Sequence, residues 1–455
     1  MSKKMLKDIR EFSKLSKDII ENQEKTKISS RFKPEELLER FDISLKDEGI
    51  QDPKLFNILK DITTNSPQTS SNLFFNQLFG GLDSKAVVGD LIAVLLNHTM
   101  STYKIAGPMV AIEKEIIKKI AELISYPNTF GGTFPTGGSM SNFMAMIIAR
   151  DHKDPNYKYI GKSSKLICYS SESSHYSIGK NASFSGIGRD NVRYIKTNEK
   201  SEMIIYELQK NIEEDISNGH HPFLVNATLG TTVLGGIDPI EEISKLCKKY
   251  NIWLHIDGAY SGSTIFSKKY KSLIKGIEAS DSFCFNAHKT LGTPLSTSIL
   301  MVRNKKYLLN SFKNEAEYLY QTDAEYNLGQ TSFECGRRNN SLKFWTLWKS
   351  IGTKGIEKMV NHNYSLANFA LEYVKKDPNY TVYSHKDSLS ICFNYKNIDA
   401  KILCDKLYKN NTLLVGYGSH HGETFIRLVS VNRENKKSDI LNFFKTLENF
   451  SETLD

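Results

Sequence analysis

The chain has 455 residues, 40% hydrophobic and 24% charged, with 60 Lys and Arg against 51 Asp and Glu for a formal net charge of +9. That length can hold a full-sized core in two or three domains, and the composition is that of an ordinary soluble protein. The positive excess is spread along the chain with no arginine-rich stripe among aromatics, and no apolar run approaches the ~18 residues of a membrane span, so nucleic-acid binding and membrane insertion are both disfavoured.

Residues 1–70 read as helices with polar connections. Leu6, Ile9, Phe12, Leu15 and Ile19 recur at helical spacing. The acids Asp8, Glu11, Asp18 and Glu21 among them argue against an organellar transit peptide, so a helix that packs on a partner subunit is expected. No secretory leader opens the chain and none of the six cysteines forms a CxxC pair, which predicts a reducing, cytoplasmic setting. Residues 63–71 are a loop by composition.

Residues 71–350 read as one large domain, in which helical and strand-like runs alternate from about 100 to 300. A helical pattern over 110–120 leads to the Gly-rich stretch 131–138 and an apolar helix from Ser141 to Ala149. Strand-like runs follow at 165–169, 223–227, 252–256, 282–285 and 298–302, and a helix with a proline start covers 239–249. This alternation predicts an α/β domain with a mostly parallel sheet covered on both faces. Residues 351–455 read as a smaller α+β domain with strands at 389–395 and 425–429.

In such sheets ligands sit outside the carboxyl ends of the strands. Asp257, Lys289, Thr232 and His175 all fall just after strand-like runs, so all four are expected in one pocket. Lys289, in Asn286-Ala287-His288-Lys289, suits an amine held ready to condense with an aldehyde, provided burial helps it lose its proton. Asp257, followed by the small residues Gly258 and Ala259, suits a carboxylate beside a flat protonated ring. Pyridoxal phosphate is the cofactor that needs both. The run Gly137-Gly138-Ser139-Met140-Ser141 opens a helix and offers N–H groups to a phosphate, although a plain helix cap is the blander reading. His175 is read as stacking on the cofactor face, and Thr232 as donating to the cofactor or to the substrate carboxylate. Surface capping and β-branched packing are their ordinary alternatives. The pairs His220-His221 and His420-His421 hint at metal, but neighbours on a strand point to opposite faces and no Cys or acid cluster joins them, so no metal is expected.

These motifs, with Phe74-Phe75-Asn76-Gln77-Leu78, Thr102-Tyr103, Ser174-His175, Ala227-Thr228-Leu229-Gly230-Thr231-Thr232, His255-Ile256-Asp257 and Cys335-Gly336-Arg337-Arg338, make the chain from about residue 35 onward resemble the group II pyridoxal-phosphate-dependent amino-acid decarboxylases. Two positions depart from the family pattern: Ala287 stands where the family has proline, and Gly258 where it has alanine. The resemblance implies the type I, aspartate aminotransferase-like fold with a seven-stranded sheet, and a homodimer with its sites at the subunit interface. It implies that Asn286 and His288 help fix the phosphate. It also implies that Tyr318, on a loop reaching across the dimer, protonates the substrate carbon after carbon dioxide leaves.

For the substrate, Arg427 matches an arginine with which acidic-substrate members grip a carboxylate, and Gln77 matches a second contact. Thr99 and Ser101 stand where glutamate-specific members typically carry Asn and Phe. Together they imply decarboxylation of glutamate, aspartate or cysteinesulfinate, with the choice among them open. The rivals are an aromatic amino-acid decarboxylase or another pyridoxal-phosphate lyase, and a non-catalytic dimeric binding protein on the same fold.

Overall fold

The structure is a computed structural model and describes residues 2–23, 28, 32–161, 164–314, 320 and 323–453. In chain order the strands are β1 (Phe74–Phe75), β2 (Gly131–Thr133), β3 (Leu166–Ser171), β4 (Val192–Ile195), β5 (His221–Thr228), β6 (Trp253–Gly258), β7 (Ser282–Asn286) and β8 (Ser298–Val302), then β9 (Tyr380–Val382), β10 (Ser390–Tyr395), β11 (Leu414–His420) and β12 (Glu423–Val429).

β2 to β8 build a seven-stranded sheet in the order β2-β8-β7-β6-β5-β3-β4. Its β7/β6, β6/β5, β5/β3 and β3/β4 pairs are parallel, while β8 is antiparallel to both its neighbours. The side-chain period of two divides each strand between two cores. Ile167, Val225, Leu254 and Phe283 enter one apolar cluster. Their neighbours Cys168, Leu224, Trp253 and Cys284 enter another on the opposite face. Burial on both faces explains why these strands read as continuous apolar runs.

The helix Ile240–Tyr250 joins β5 to β6 and follows its sequence signals. Ile240, Ile243, Leu246 and Cys247 are its buried stripe, Glu241 and Glu242 lie in the first turn, and Lys248 and Lys249 lie in the last. Asn251 ends it in the left-handed region at φ 52°.

The Gly-rich stretch divides differently from expectation. Gly131 and Gly132 pair with Val302 and Met301 as the edge strand β2, and only Gly137-Gly138 meets the helix Gly138–Lys153. A Cβ on Gly132 would stand 3.0 Å from both the Ile117 side chain and the Leu300 carbonyl, so this glycine serves sheet packing.

The remaining strands form a five-stranded sheet, β1-β11-β12-β10-β9. Phe74 and Phe75, read above with the large domain, pair in parallel with Leu414 and Val415 of this second sheet. The Phe75 ring lies 5.0 Å from that of Phe443, inside the small apolar cluster that also holds Leu428, which is what draws the segment there. The helix Ser341–Lys376 runs between the two units and is broken at Gly352, where φ 66° and ψ 174° need a residue without a side chain.

At the amino end, the helix Ser2–Gln23 lies against the helix Asp52–Thr64 through Lys7–Asp52 (3.1 Å) and Lys60–Asp18 (2.6 Å). Leu6, Ile9 and Phe12 remain exposed. Among the described residues no helix is long and apolar enough to cross a membrane. The His420 and His421 rings do not point apart as an extended strand would direct them. They stack at 3.8 Å, because His421 turns the β11–β12 hairpin at φ 48°.

Candidate active site

The carboxyl ends of β5, β6 and β7 and the first turn of the helix Gly138–Lys153 line one cavity of about 220 Å³. A Cβ on Gly138 would lie 3.0 Å from both Ala259 Cβ and Asn286 Nδ2, so glycine lets the helix start close in on the strand ends. No side chain caps that helix. Its first N–H groups and its dipole are therefore offered to an anion.

Asp257 is buried near the end of β6. Its Oδ2 accepts from Asn142 Nδ2 at 2.7 Å and its Oδ1 from the Ala259 N–H at 3.0 Å. Lys289 follows β7 in the short helix Ala287–Thr290 and lines the same cavity. Burial lowers its amine pKa below the ordinary 10.5, the nearby Asp257 and Cys284 work against that shift, and the positive Arg427 adds to it.

His175 lies beyond β3, and its Nδ1 accepts from the Ser177 N–H at 3.2 Å, which leaves the proton on Nε2. Burial lowers its pKa, so the ring is neutral when it meets a cofactor. His288 accepts the Thr297 N–H on Nδ1 at 2.9 Å, and its pKa is lowered to about 4, chiefly by burial.

Of the residues expected to hold the cofactor, Gly138, Ser139, His175, Thr232 and Asp257 line the cavity, and so do Ala259, Asn286, His288 and Lys289. Met140 does not: its side chain packs against the apolar cluster beneath the sheet. Arg427 projects from β12 and donates to the carbonyls of Thr232 (2.9 Å) and Asn76 (2.8 Å), while its Nε is buried without a protein partner. Gln77 is exposed next to Asn76. Thr99 and Ser101 lie outside this cavity within the same chain. They bond each other at 3.1 Å and turn to the 335–337 segment, where Thr99 Oγ1 accepts the Arg337 N–H at 3.2 Å. Tyr318 lies outside the described residues.

The donor set fits pyridoxal phosphate. A partly desolvated amine, a buried carboxylate and an uncapped helix start surround one hollow. Asn286 Oδ1 and Thr228 Oγ1 on its wall are buried without a protein partner, as expected of groups that complete their bonding with a ligand.

Known proteins agree. The family model described as the pyridoxal-dependent decarboxylase conserved domain matches residues 34–396. The chain belongs to this family. The enzyme is a pyridoxal-phosphate-dependent amino-acid carboxy-lyase of the type I fold. It is 34% identical to the human acidic amino acid decarboxylase GADL1 over 432 residues, covering 90% of this chain and 83% of that one. It is 34% identical to the rat cysteine sulfinic acid decarboxylase over 446 residues, covering 92% and 90%. The crystal structure of mouse CSAD in apo form superposes with a TM-score of 0.93 at 31% identity, covering 98% of both chains.

The two departures from the family pattern have local causes in this decarboxylase. A Cβ on Gly258 would stand 2.6 Å from the Phe283 ring and 2.7 Å from the Cys284 carbonyl, so the Phe283 ring leaves no room for alanine. The Ala287 N–H donates to the Thr297 carbonyl at 2.9 Å, a bond proline cannot make. Sequence reasoning passed over Asn142 and Tyr260, which also line the cavity. An amide one turn into an otherwise apolar helix was the available signal for Asn142.

Proposed function

We propose that the enzyme removes the α-carboxylate of an acidic amino acid, giving the amine and carbon dioxide. Arg427 carries this reading: it holds the carbonyl of Thr232, a residue of the cavity wall, and a guanidinium placed there suits a second carboxylate or a sulfinate. The names of its relatives, acidic amino acid decarboxylase and cysteine sulfinic acid decarboxylase, support the same class.

When bound, pyridoxal phosphate supplies the sink for the electron pair left as the Cα–carboxylate bond breaks. The roles of the side chains follow from their chemistry. Lys289 would hold the cofactor through its Nζ. Asp257 would accept a hydrogen bond from the protonated ring nitrogen through a carboxylate oxygen. His175, neutral and carrying its proton on Nε2, would lie against the cofactor and donate toward the substrate carboxylate. Asn286, His288 and the helix start hold the phosphate, with Ser139 and the Met140 backbone in the first turn. Tyr318 is the proposed proton donor to the substrate carbon.

The working unit is proposed to be a homodimer in the cytoplasm. Val88, Leu91 and Leu95 on the helix Ser84–Leu96 are exposed beside the apolar hollow lined by Met5, Ile9, Phe12 and Phe56, and a second copy would cover them. In that assembly Thr99 and Ser101, which lie outside the cavity of their own chain, would complete the site of the other copy, while Gln77 stays beside Asn76, whose carbonyl Arg427 holds.

Purified holoenzyme offered glutamate, aspartate, cysteinesulfinate, tryptophan and dopa is expected to release carbon dioxide from one or more of the first three alone, and to sediment as two copies. Arg427→Lys should lower kcat/KM by about 10- to 100-fold, the worth of a charge-assisted pair. Activity confined to the aromatic substrates would refute the acidic reading.

A further inference from the structure

Behind Asp257 a chain of buried polar groups runs across the base of the sheet. Trp253 Nε1 donates to Ser282 Oγ at 2.9 Å, and Ser282 Oγ meets His255 Nδ1 at 2.9 Å. His255 Nε2 meets Asn142 Oδ1 at 3.0 Å, and Asn142 Nδ2 donates to Asp257 Oδ2 at 2.7 Å. All five residues are buried.

Both ends of this chain are chemically one-sided. An indole N–H can only donate, and an ionised carboxylate can only accept. Fixing the Asp257 end, with one proton on the His255 ring, fixes every link between. The Asp257 oxygen requires the amide nitrogen of Asn142, so its carbonyl turns to His255. That carbonyl requires a proton on His255 Nε2, so Nδ1 is bare and takes the Ser282 hydroxyl proton. The Ser282 oxygen is then left to accept from Trp253, the one thing an indole can offer. The reversed order would set an amide oxygen against a carboxylate oxygen at 2.7 Å.

The surroundings agree with a single direction. The second Asn142 Nδ2 hydrogen goes to Ser177 Oγ at 3.2 Å, and the Cys284 thiol adds a weak donor to Asn142 Oδ1 at 3.3 Å. Burial lowers the pKa of His255, which leaves its ring the one proton the chain requires.

We infer that Trp253, Ser282, His255 and Asn142 are positioning residues: a one-way hydrogen-bond relay that presents Asp257 as an oriented carboxylate to the cofactor's ring nitrogen. The relay exists to keep that nitrogen protonated, because a carboxylate whose own bonding is satisfied by donors keeps one lone pair aimed outward and stays an acceptor. The inference rests on Asp257 being the ring-nitrogen partner. Proton positions along the relay can be read whether or not that assignment stands.

Neutron diffraction from deuterated crystals of the unaltered holoenzyme tests it directly. Deuterium is expected on His255 Nε2, on Ser282 Oγ pointing to His255 Nδ1, and on neither Asp257 oxygen. Deuterium on His255 Nδ1, or an Asn142 carbonyl facing Asp257, overturns the inference. Ser282→Ala supplies a second reading. With 15N-labelled pyridoxal phosphate bound, the ring-nitrogen shift should move toward that of the unprotonated ring. In the same variant kcat should fall about tenfold, with KM for the amino acid changed less than about twofold. A fall in kcat with the ring-nitrogen shift unmoved would reduce these residues to structural packing.

Discussion

Burial pushes the Lys289 amine in one direction while its neighbours pull both ways. Desolvation is the largest influence and lowers its pKa; the carboxylate of Asp257 and Cys284 raise it, and Arg427 lowers it again. The amine attacks an aldehyde only when neutral, so a lowered pKa widens the range over which it is reactive. The rate at which cofactor-free enzyme takes up pyridoxal phosphate should therefore rise with pH and level off below the ordinary lysine value of 10.5. Stopped-flow absorbance measures this. A midpoint at or above the ordinary value would show that the site leaves the amine as water does. Lys289, Asp257 and His175 were legible in the sequence because each follows an apolar run, and strand ends converge in a parallel sheet. Asn142 was not, because its partners His255, Cys284 and Asp257 lie 113 or more residues away in sequence. Thr99 and Ser101 were matched by resemblance, which says nothing of the 335–337 segment they turn to within one chain.

β6 and β7 are the elements that bring acid and amine together. Their parallel register sets Asp257 beside Cys284 and Gly258 beside Phe285, so the two strand ends arrive level. Gly258 is the tight point of that contact. Gly258→Ala restores the family residue but drives a methyl into Phe283 and the Cys284 carbonyl. It should cost about 1–3 kcal/mol of stability, the usual penalty for overpacking a core. Urea denaturation measures it, and an unchanged midpoint with an unchanged slope would mean that the Phe283 ring moves aside freely. Five strands of this sheet, β3 and β5 to β8, were readable within a residue or two, since burial on both faces writes them as unbroken apolar runs; β4 was missed, because Arg193 and Tyr194 interrupt its apolar pattern. Gly131-Gly132 misled because glycine pairs serve close packing and anion cradles alike. Phe74-Phe75 misled because two residues carry no period, and their partner strand lies 339 residues or more further along.

Across the whole molecule the small unit is tied to the large one at the site itself. Arg427 of β12 holds the carbonyl of Thr232 after β5 and that of Asn76 after β1, and the Tyr260 hydroxyl meets Ser390 Oγ of β10 at 3.1 Å. A substrate carboxylate drawn to Arg427, as proposed, would thus act where the two sheets meet. The composition could not show the joint, because an arginine bound to two carbonyls leaves no mark in sequence. All of this presumes that one lysine among many carries the cofactor. Borohydride reduction of the holoenzyme, followed by proteolysis and mass spectrometry, tests that most directly. The account predicts the pyridoxyl mass on the peptide containing Lys289 and its loss in Lys289→Ala; stoichiometric label on any other lysine of the native protein would contradict it.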